Sequence, residues 1–352
     1  MATTYYVDAA AGNDSNNGLS AGAAKATIGA AVSASSGTTY AAYDTIYVKN
    51  SGNYNEKVAW GGKHLMLIGY GSSLTDEGVA VIDGQSTRDN GIEVDNNGAS
   101  TASVGVRNFE VKNCTSHGVE LTNTSGGSAN VFNFFDNVYS HHHGGWGFID
   151  NWAANASHFW SRCDGSFNTS GGFHLVATES RLAALCRAKG NGGPGFKGVG
   201  VCTICESLDN SIPFDGVRHL ILCSGDDGNT GAIWVTPTLR SCLAVLSGFT
   251  NGTTYGIDNG TGTLVPELTL IHCGLSGGTL IRTTGPAWNS NPVTANPLYQ
   301  DQPNGDLRLL AGSPWLSRQV PIGRGNPALL DIGAWQGLLS GGVSRARVMG
   351  GL

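Results

Sequence analysis

The chain has 352 residues, of which only 13% are charged, with 53 glycines and a formal net charge of −6. Without clustered Lys and Arg, counterion release from phosphates cannot drive association, which argues against a nucleic-acid partner. No run approaches the ~20 apolar residues of a membrane-crossing helix, and short apolar runs between turn formers point to an all-β protein.

The N-terminus runs straight into a strand at Tyr5–Asp8, with no charged or apolar leader before it. That reading predicts a protein made and kept in the cytosol, or released by lysis. An Asn/Asp/Gly loop follows at Gly12–Gly18, then a short Ala-rich helix at Thr27–Ala34 and a strand at Asp44–Val48. A Gly-x-Tyr-x-Glu turn, Gly52–Glu56, closes this opening segment. The helix is expected to cap the open end of whatever stack follows, because an uncovered end exposes both strand edges and core.

Between residues 105 and 285 one pattern returns: a short apolar strand, a Cys or apolar residue, a polar turn, then Gly and an apolar residue. The first marker falls at Cys114, Val138, Cys163, Cys186, Cys205, Cys223, Leu246 and Cys273. The second falls at Val119, Phe148, Phe173, Phe196, Phe214, Ala232, Ile257 and Leu280. Steps of 18 to 29 residues are too short for a helix pair and suit one coil of a parallel β-solenoid. Stacked coils pair each strand with its copy above and below, so like side chains form ladders. Six of the eight cysteines then make a buried ladder of small hydrophobes, and Phe148, Phe173, Phe196 and Phe214 an inward phenylalanine ladder. Cys202-Thr-Ile-Cys205 is a lone CxxC without a second pair at zinc-ribbon spacing, so no zinc is expected there.

Both ends carry a resemblance. Tyr6-Val-Asp, the Gly12-Asn-Asp loop, Thr27-Ile-x-x-Ala, Asp44-Thr-Ile-x-Val and Gly52-x-Tyr-x-Glu resemble the opening of right-handed parallel β-helix proteins of the pectate-lyase-like superfamily. Asn296–Leu316 and Asp331–Gln336 resemble its closing segment. The resemblance implies a right-handed parallel β-helix of about ten coils with an N-terminal helical cap. Residues 1–336 would form that single domain: cap and first coil in 1–60, clear repeats in 105–285, exit segment in 286–336. It does not fix function, since the superfamily spans lyases, polygalacturonases, epimerases, phage tailspikes and non-catalytic proteins.

Polygalacturonases of this resemblance carry Asn-Thr-Asp, Asp-Asp, His-Gly and Arg-x-Lys in that order. Here His117-Gly118 precedes Asp226-Asp227, and the outer triplets are missing. Asp226 and Asp227 remain the best carboxylate pair for a hydrolase, or for weak Ca²⁺ binding, but adjacent residues in a Gly-flanked turn more often solvate it, and no cofactor is expected. For a lyase the candidates are Arg187 and Lys189, with Arg162, Asp164 and Glu179 nearby in the repeat. The bland reading is exposed charges offsetting one another.

Around Tyr139-Ser-His-His-His-Gly-Gly-Trp the aromatic density is high. Trp146, Trp152 and Trp160 fall off the phenylalanine ladder and are expected at the surface, where they would contact a glycan or a neighbouring subunit. His141 and His143 share a face if the segment alternates, but no neighbouring coil offers a third ligand, so no metal is expected. The triplet reads as an outer corner of the solenoid. Finally, residues 337–352 form a Gly-rich arm in which Arg345, Arg347 and Val348 would order on a partner.

These readings favour a structural or adhesive subunit, of the kind found in bacteriophage virions as a capsid decoration, fibre or tailspike-like component. Its partners would be other virion subunits and surface glycans, with no membrane or nucleic acid, and it would form a homo-oligomer such as a trimer. The alternative is an extracellular polysaccharide lyase or glycoside hydrolase working along a groove of the β-helix.

Overall fold

The computed structural model describes residues 2–37, 43–95, 103–122, 132–152, 157–175, 181–226, 232–235, 242–245, 247–250, 255–258, 268–271, 273–275, 279–282, 287–290, 299–301 and 306–309. The chain divides into two compact units, Met1–Leu182 with Asn191–Gly193, and Ala183–Gly190 with Pro194–Leu352. In each unit the described strands of the coils stack in parallel, pairing with their copies from the next coil.

In the first unit one row comprises Val58–Trp60, Asn90–Asp95, His117–Thr122, Trp146–Asp150 and Gly171–Leu175. In the second, the equivalent row comprises Phe196–Lys197, Phe214–Asp215, Ala232–Val235, Tyr255–Asp258 and Thr279–Arg282. Among the described residues each of these two rows has five rungs. The exit segment holds an antiparallel pair, Tyr299–Asp301 with Asp306–Leu309.

The helix Ile28–Ala34 buries Ile28, Ala31 and Val32, and its amide ends are held from two sides. Thr27 Oγ1 accepts from the Ala30 N–H at 3.2 Å, and the Glu56 carboxylate accepts from Ile28 and Gly29, each at 2.8 Å. Tyr54 completes the turn motif, accepting from the Ala9 N–H at 3.2 Å and donating to the Lys49 carbonyl at 2.7 Å. The Gly-x-Tyr-x-Glu turn therefore fastens the helix to the coil below it.

The other rows bend at fixed points. Asn108, Asn137 and Arg162 all lie in the left-handed region, at φ 61°, 54° and 52°. The strands Val104–Lys112 and Phe132–His141 run through this bend, pairing with separate partners before and after it. One coil later the bend splits the strand into Ser157–Ser161 and Asp164–Ser166. Asn tolerates this conformation, and Asn137 Nδ2 also donates to Asn108 Oδ1 at 2.9 Å.

The second unit bends at Leu185, Ile204 and Leu222, at φ 56°, 54° and 55°, where bulky side chains are disfavoured. Ile204→Asn is therefore expected to raise the melting temperature, by an amount equivalent to about 1 kcal/mol. A lower melting temperature would mean that the isoleucine's packing outweighs its backbone cost.

The bend also explains the cysteines. All eight are free and buried. Cys163, Cys186, Cys205 and Cys223 each follow a bent residue, and the ladder thiols turn back to cap carbonyls. Cys205 Sγ donates to Ala183 O at 3.3 Å, Cys223 Sγ to Cys202 O at 3.3 Å and Cys273 Sγ to Ala244 O at 3.4 Å. Ser247 does the same with a hydroxyl, donating to Leu220 O at 3.3 Å. The position thus selects a small side chain carrying a donor.

Four markers of the sequence repeat are corrected by the register: Trp234, not Ala232, pairs with Phe214, and Ile281, not Leu280, pairs with Ile257. Ser247, not Leu246, stacks on Cys223, because Ser224 pairs with Gly248. Cys114 belongs to a different corner: Val138 pairs with Phe109, and Cys114 aligns with His143. The phenylalanine ladder is as expected in each unit, with Phe148 on Phe173 at 4.6 Å and Phe196 on Phe214 at 5.5 Å.

Candidate functional site

The histidine triplet sits where the strand Phe132–His141 ends. Val138 and Ser140 point inward, so Tyr139 and His141 point outward, but His141 is covered by its neighbours to 9% exposure, which corrects its assignment to an open surface. Register places Tyr139 between Glu110 and Asp164, and His141 between Lys112 and Ser166. His142 then takes a left-handed conformation (φ 58°), as do Asn113 and Phe167 at the same phase of adjacent coils (both 57°). This second bend interrupts the alternation, and each histidine has a different environment.

His141 is packed under Tyr139, with ring centroids 4.0 Å apart. Its Nε2 lies 3.1 Å from Glu110 Oε1, and its Nδ1 lies 2.5 Å from His142 Nδ1. Lys112 Nζ approaches the same Glu110 oxygen at 3.2 Å. The hydrogen bond from His141 holds the Glu110 carboxyl below the usual range against the opposing effect of burial, and Lys112 adds to the lowering. His142 is exposed and stacks on Phe167 at 5.7 Å; Phe167 itself is 39% exposed. Burial first, and then the neighbouring His141, push His142 below the ordinary imidazole value.

His143 turns into the core, which corrects its assignment to the surface. It fills the first place of an asparagine ladder. Its Nδ1 accepts from the Cys114 N–H at 3.1 Å, just as Asn168 Oδ1 accepts from His143 N at 3.1 Å and Asn191 Oδ1 from Asn168 N at 2.9 Å. Its Nε2–H then donates to Ser140 Oγ at 3.1 Å. Burial pushes this imidazole down to about 3, so it stays neutral at ordinary pH.

The tryptophans are corrected likewise. Trp152 and Trp160 are fully buried, Trp160 stacked on Phe135 at 5.9 Å in an inward column. Only Trp146 keeps a half-buried position, tilted against His174 at 4.8 Å. Neither Trp152 nor Trp160 can offer its face to a ligand.

Of the candidate catalytic residues, Arg187, Lys189 and Asp226 belong to the second unit, with Lys189 and Asp226 in one column, and Arg162 and Asp164 to the first. In the second unit Arg187 lies 3.5 Å from Glu206, and Lys189 lies 3.9 Å from Asp209. Asp226 is buried in the row Leu208–Asp226–Thr250, which removes it as a groove carboxylate. In the first unit Arg162 grips Asp136 through Nε at 2.8 Å and Nη2 at 2.5 Å, and Asp164 accepts from Ser166 Oγ. Asp227, Glu179, Arg345, Arg347 and Val348 lie outside the described residues. Among the described residues no group of three or more His, Cys, Asp or Glu is placed to hold a metal ion.

What the register assembles instead is Glu110, Lys112, Tyr139, His141, His142 and Phe167. The first two come from Phe109-Glu-Val-Lys, whose alternation was the available signal, but one visible only once that strand is laid against Val138-Tyr-Ser-His. The arrangement combines two stacked aromatic pairs with a carboxylate, an ammonium and an exposed imidazole on one outward corner. Such a surface can hold a polar ligand by ring contact and hydrogen bonding together.

Stacked parallel rungs, ladder side chains and a helical cap define a right-handed parallel β-helix of the pectate-lyase-like fold. No family model matches the chain, nor does any curated protein sequence. Among solved structures it is similar to pectate lyase Pel9A, at TM-score 0.63 and 16% identity over 96% of each chain. It is also similar to a rhamnogalacturonan lyase, at TM-score 0.50 and 13% identity over 85% of this chain and 91% of that one. At such identities the likeness defines the fold alone.

Proposed function

We propose that the chain is a structural or adhesive β-helix subunit that contacts a saccharide, or a neighbouring subunit, through the histidine corner. The setting that suits this role is a bacteriophage virion, with the chain as a decoration, fibre or tailspike-like component in a homo-oligomer. The observation carrying the contact role is the pair of stacked aromatic couples, Tyr139/His141 and His142/Phe167, beside the Glu110–Lys112 pair. Rings offer apolar faces to sugar C–H groups, while the carboxylate and ammonium take hydroxyls.

The second reading, a polysaccharide lyase, draws on the fold shared with two lyases. A panel of polysaccharides, incubated with and without Ca²⁺, separates the two. Under the adhesive reading a polymer is retained without cleavage, and Phe167→Ala weakens retention about tenfold, equivalent to ~1.4 kcal/mol, with an unchanged melting temperature. Turnover lost in Arg187→Ala or Asp227→Ala would instead establish the lyase. Light scattering on the same sample reads the oligomeric state.

A further inference from the structure

Glu110, His141 and His142 form a chain of acceptors and donors whose protons can be counted. A carboxylate only accepts, so His141 Nε2, 3.1 Å from Glu110 Oε1, carries a hydrogen. In the neutral ring Nδ1 is then bare, and it accepts from His142 Nδ1–H across 2.5 Å. That leaves His142 Nε2 bare on an exposed side chain.

One added proton is accommodated without movement. It bonds to His142 Nε2 while the His142 Nδ1–H bond breaks and a His141 Nδ1–H bond forms, so the charge arrives beside Glu110. A second proton finds no such place. His141 now carries hydrogens on both nitrogens, and the only lone pair left on His142 is the one accepting from it. Protonating that lone pair sets two N–H groups face to face, and the contact must break. Since His142 also stacks on Phe167 at 5.7 Å, breaking the contact withdraws half of that aromatic couple.

We propose that the histidine corner is a proton-gated ligand site, in which His141 and His142 share one proton when the site is assembled and a second proton swings His142 off both His141 and Phe167. The gating of ligand rests on the saccharide-contact reading above; the shared proton does not. The charged and titratable groups around the pair are Glu110, Lys112 and Tyr139 on its flanks, Asp164 on the next coil, and His117 and His143 behind. Asp83, one coil before Lys112, is held by Asn113 at 3.1 Å and Asn53 at 3.3 Å and so is occupied elsewhere. Among these neighbours the carboxylates favour the first proton, while Lys112 and the first imidazolium oppose the second.

The test is an imidazole ¹⁵N titration of the full chain, followed together with the Phe167 ring protons. In the wild-type chain His142 is expected to titrate in two steps, the second below the ordinary imidazole midpoint of ~6.5, and the Phe167 signals should move only with that second step. In His141→Asn, His142 should titrate in a single step nearer the ordinary value. A single His142 step with the same midpoint in both chains would overturn the proposal, as would Phe167 signals indifferent to pH. The binding panel is then repeated at about pH 7 and about pH 4, on either side of the ordinary imidazole value. Equal retention at both overturns the gate, whereas linked steps with no polymer retained at any pH sink the saccharide reading and leave the shared proton standing.

Discussion

Replacing Arg181 by Met is expected to destabilise the first unit by about 3–5 kcal/mol, read as a lower melting temperature or denaturant midpoint. Asp150 occupies the core column Trp60–Val94–Leu121–Asp150–Leu175, a carboxylate where its neighbours are apolar. Its side chain has no solvent exposure, nor do those of His158 and Arg181. The charge is tolerated because every direction is answered: Arg181 Nε at 2.6 Å, His158 Nδ1 at 2.7 Å and the Trp152 N–H at 2.9 Å. Arg181 also donates to the Trp152 carbonyl at 2.7 Å, and His158 meets Asn133 at 3.1 Å. Taking away the guanidinium leaves a buried carboxylate held only by His158 and the Trp152 N–H. Buried ion pairs are costly to break and cheap to replace, so the double variant Asp150→Leu/Arg181→Met should recover most of the loss by restoring an apolar column. A single Arg181→Met chain that melts like the wild type would show the cluster to be solvated after all.

The same cluster sets a pH dependence with a definite sign. Burial alone would raise the Asp150 pKa, but the His158 hydrogen bond and the charges of His158 and Arg181 leave it lowered. Burial lowers that of His158 despite its bond to Asp150. Both groups therefore bind fewer protons folded than unfolded, and stability rises with pH wherever the unfolded chain still holds them. The histidine contribution is complete above its unfolded value of ~6.5 and fades as pH falls below it, and the aspartate contribution fades below ~3.9. In Asp150→Leu/Arg181→Met the aspartate part of this acid sensitivity should vanish.

The fold was legible because a solenoid writes its period into the chain, and both ends carry cap and exit patterns. Individual rungs were less legible. The spacing varies from 18 to 29 residues because inter-strand loops differ in length, so matching Cys to Cys mistook Cys114 for a member of a ladder it does not join. The unbroken strand Val104–Lys112 hides its bend at Asn108, and Cys114, six residues later, satisfies the pattern "Cys, then polar turn". The site suffered similarly. Alternation puts His141 and His143 on one face, yet one left-handed residue between them separates them, with His143 in the core. A single-residue change of phase reverses inside and outside, and neither composition nor spacing records it.

Trp160 gives the sharpest test of that reversal. Sequence placed it on the surface; the register places it in the column Ile46–Leu67–Val106–Phe135–Trp160, with 1% exposure. Its ring lies nearly parallel to Phe135, at 9°, and edge-on to His158 at 5.7 Å, so it also walls the buried cluster. Truncation to Ala removes those contacts and opens a void that a stack of paired strands cannot easily collapse to fill. The expected loss is about 3–5 kcal/mol, with Trp160→Phe recovering much of it by keeping the aromatic stack. Below its melting transition the Trp160→Ala chain should retain polymer as the wild type does, because the corner at Tyr139 and Phe167 lies on the outward side. Phe167→Ala should do the opposite, leaving the melt unchanged and weakening retention. A Trp160→Ala chain that melts normally but loses retention would return Trp160 to the surface and refute the register.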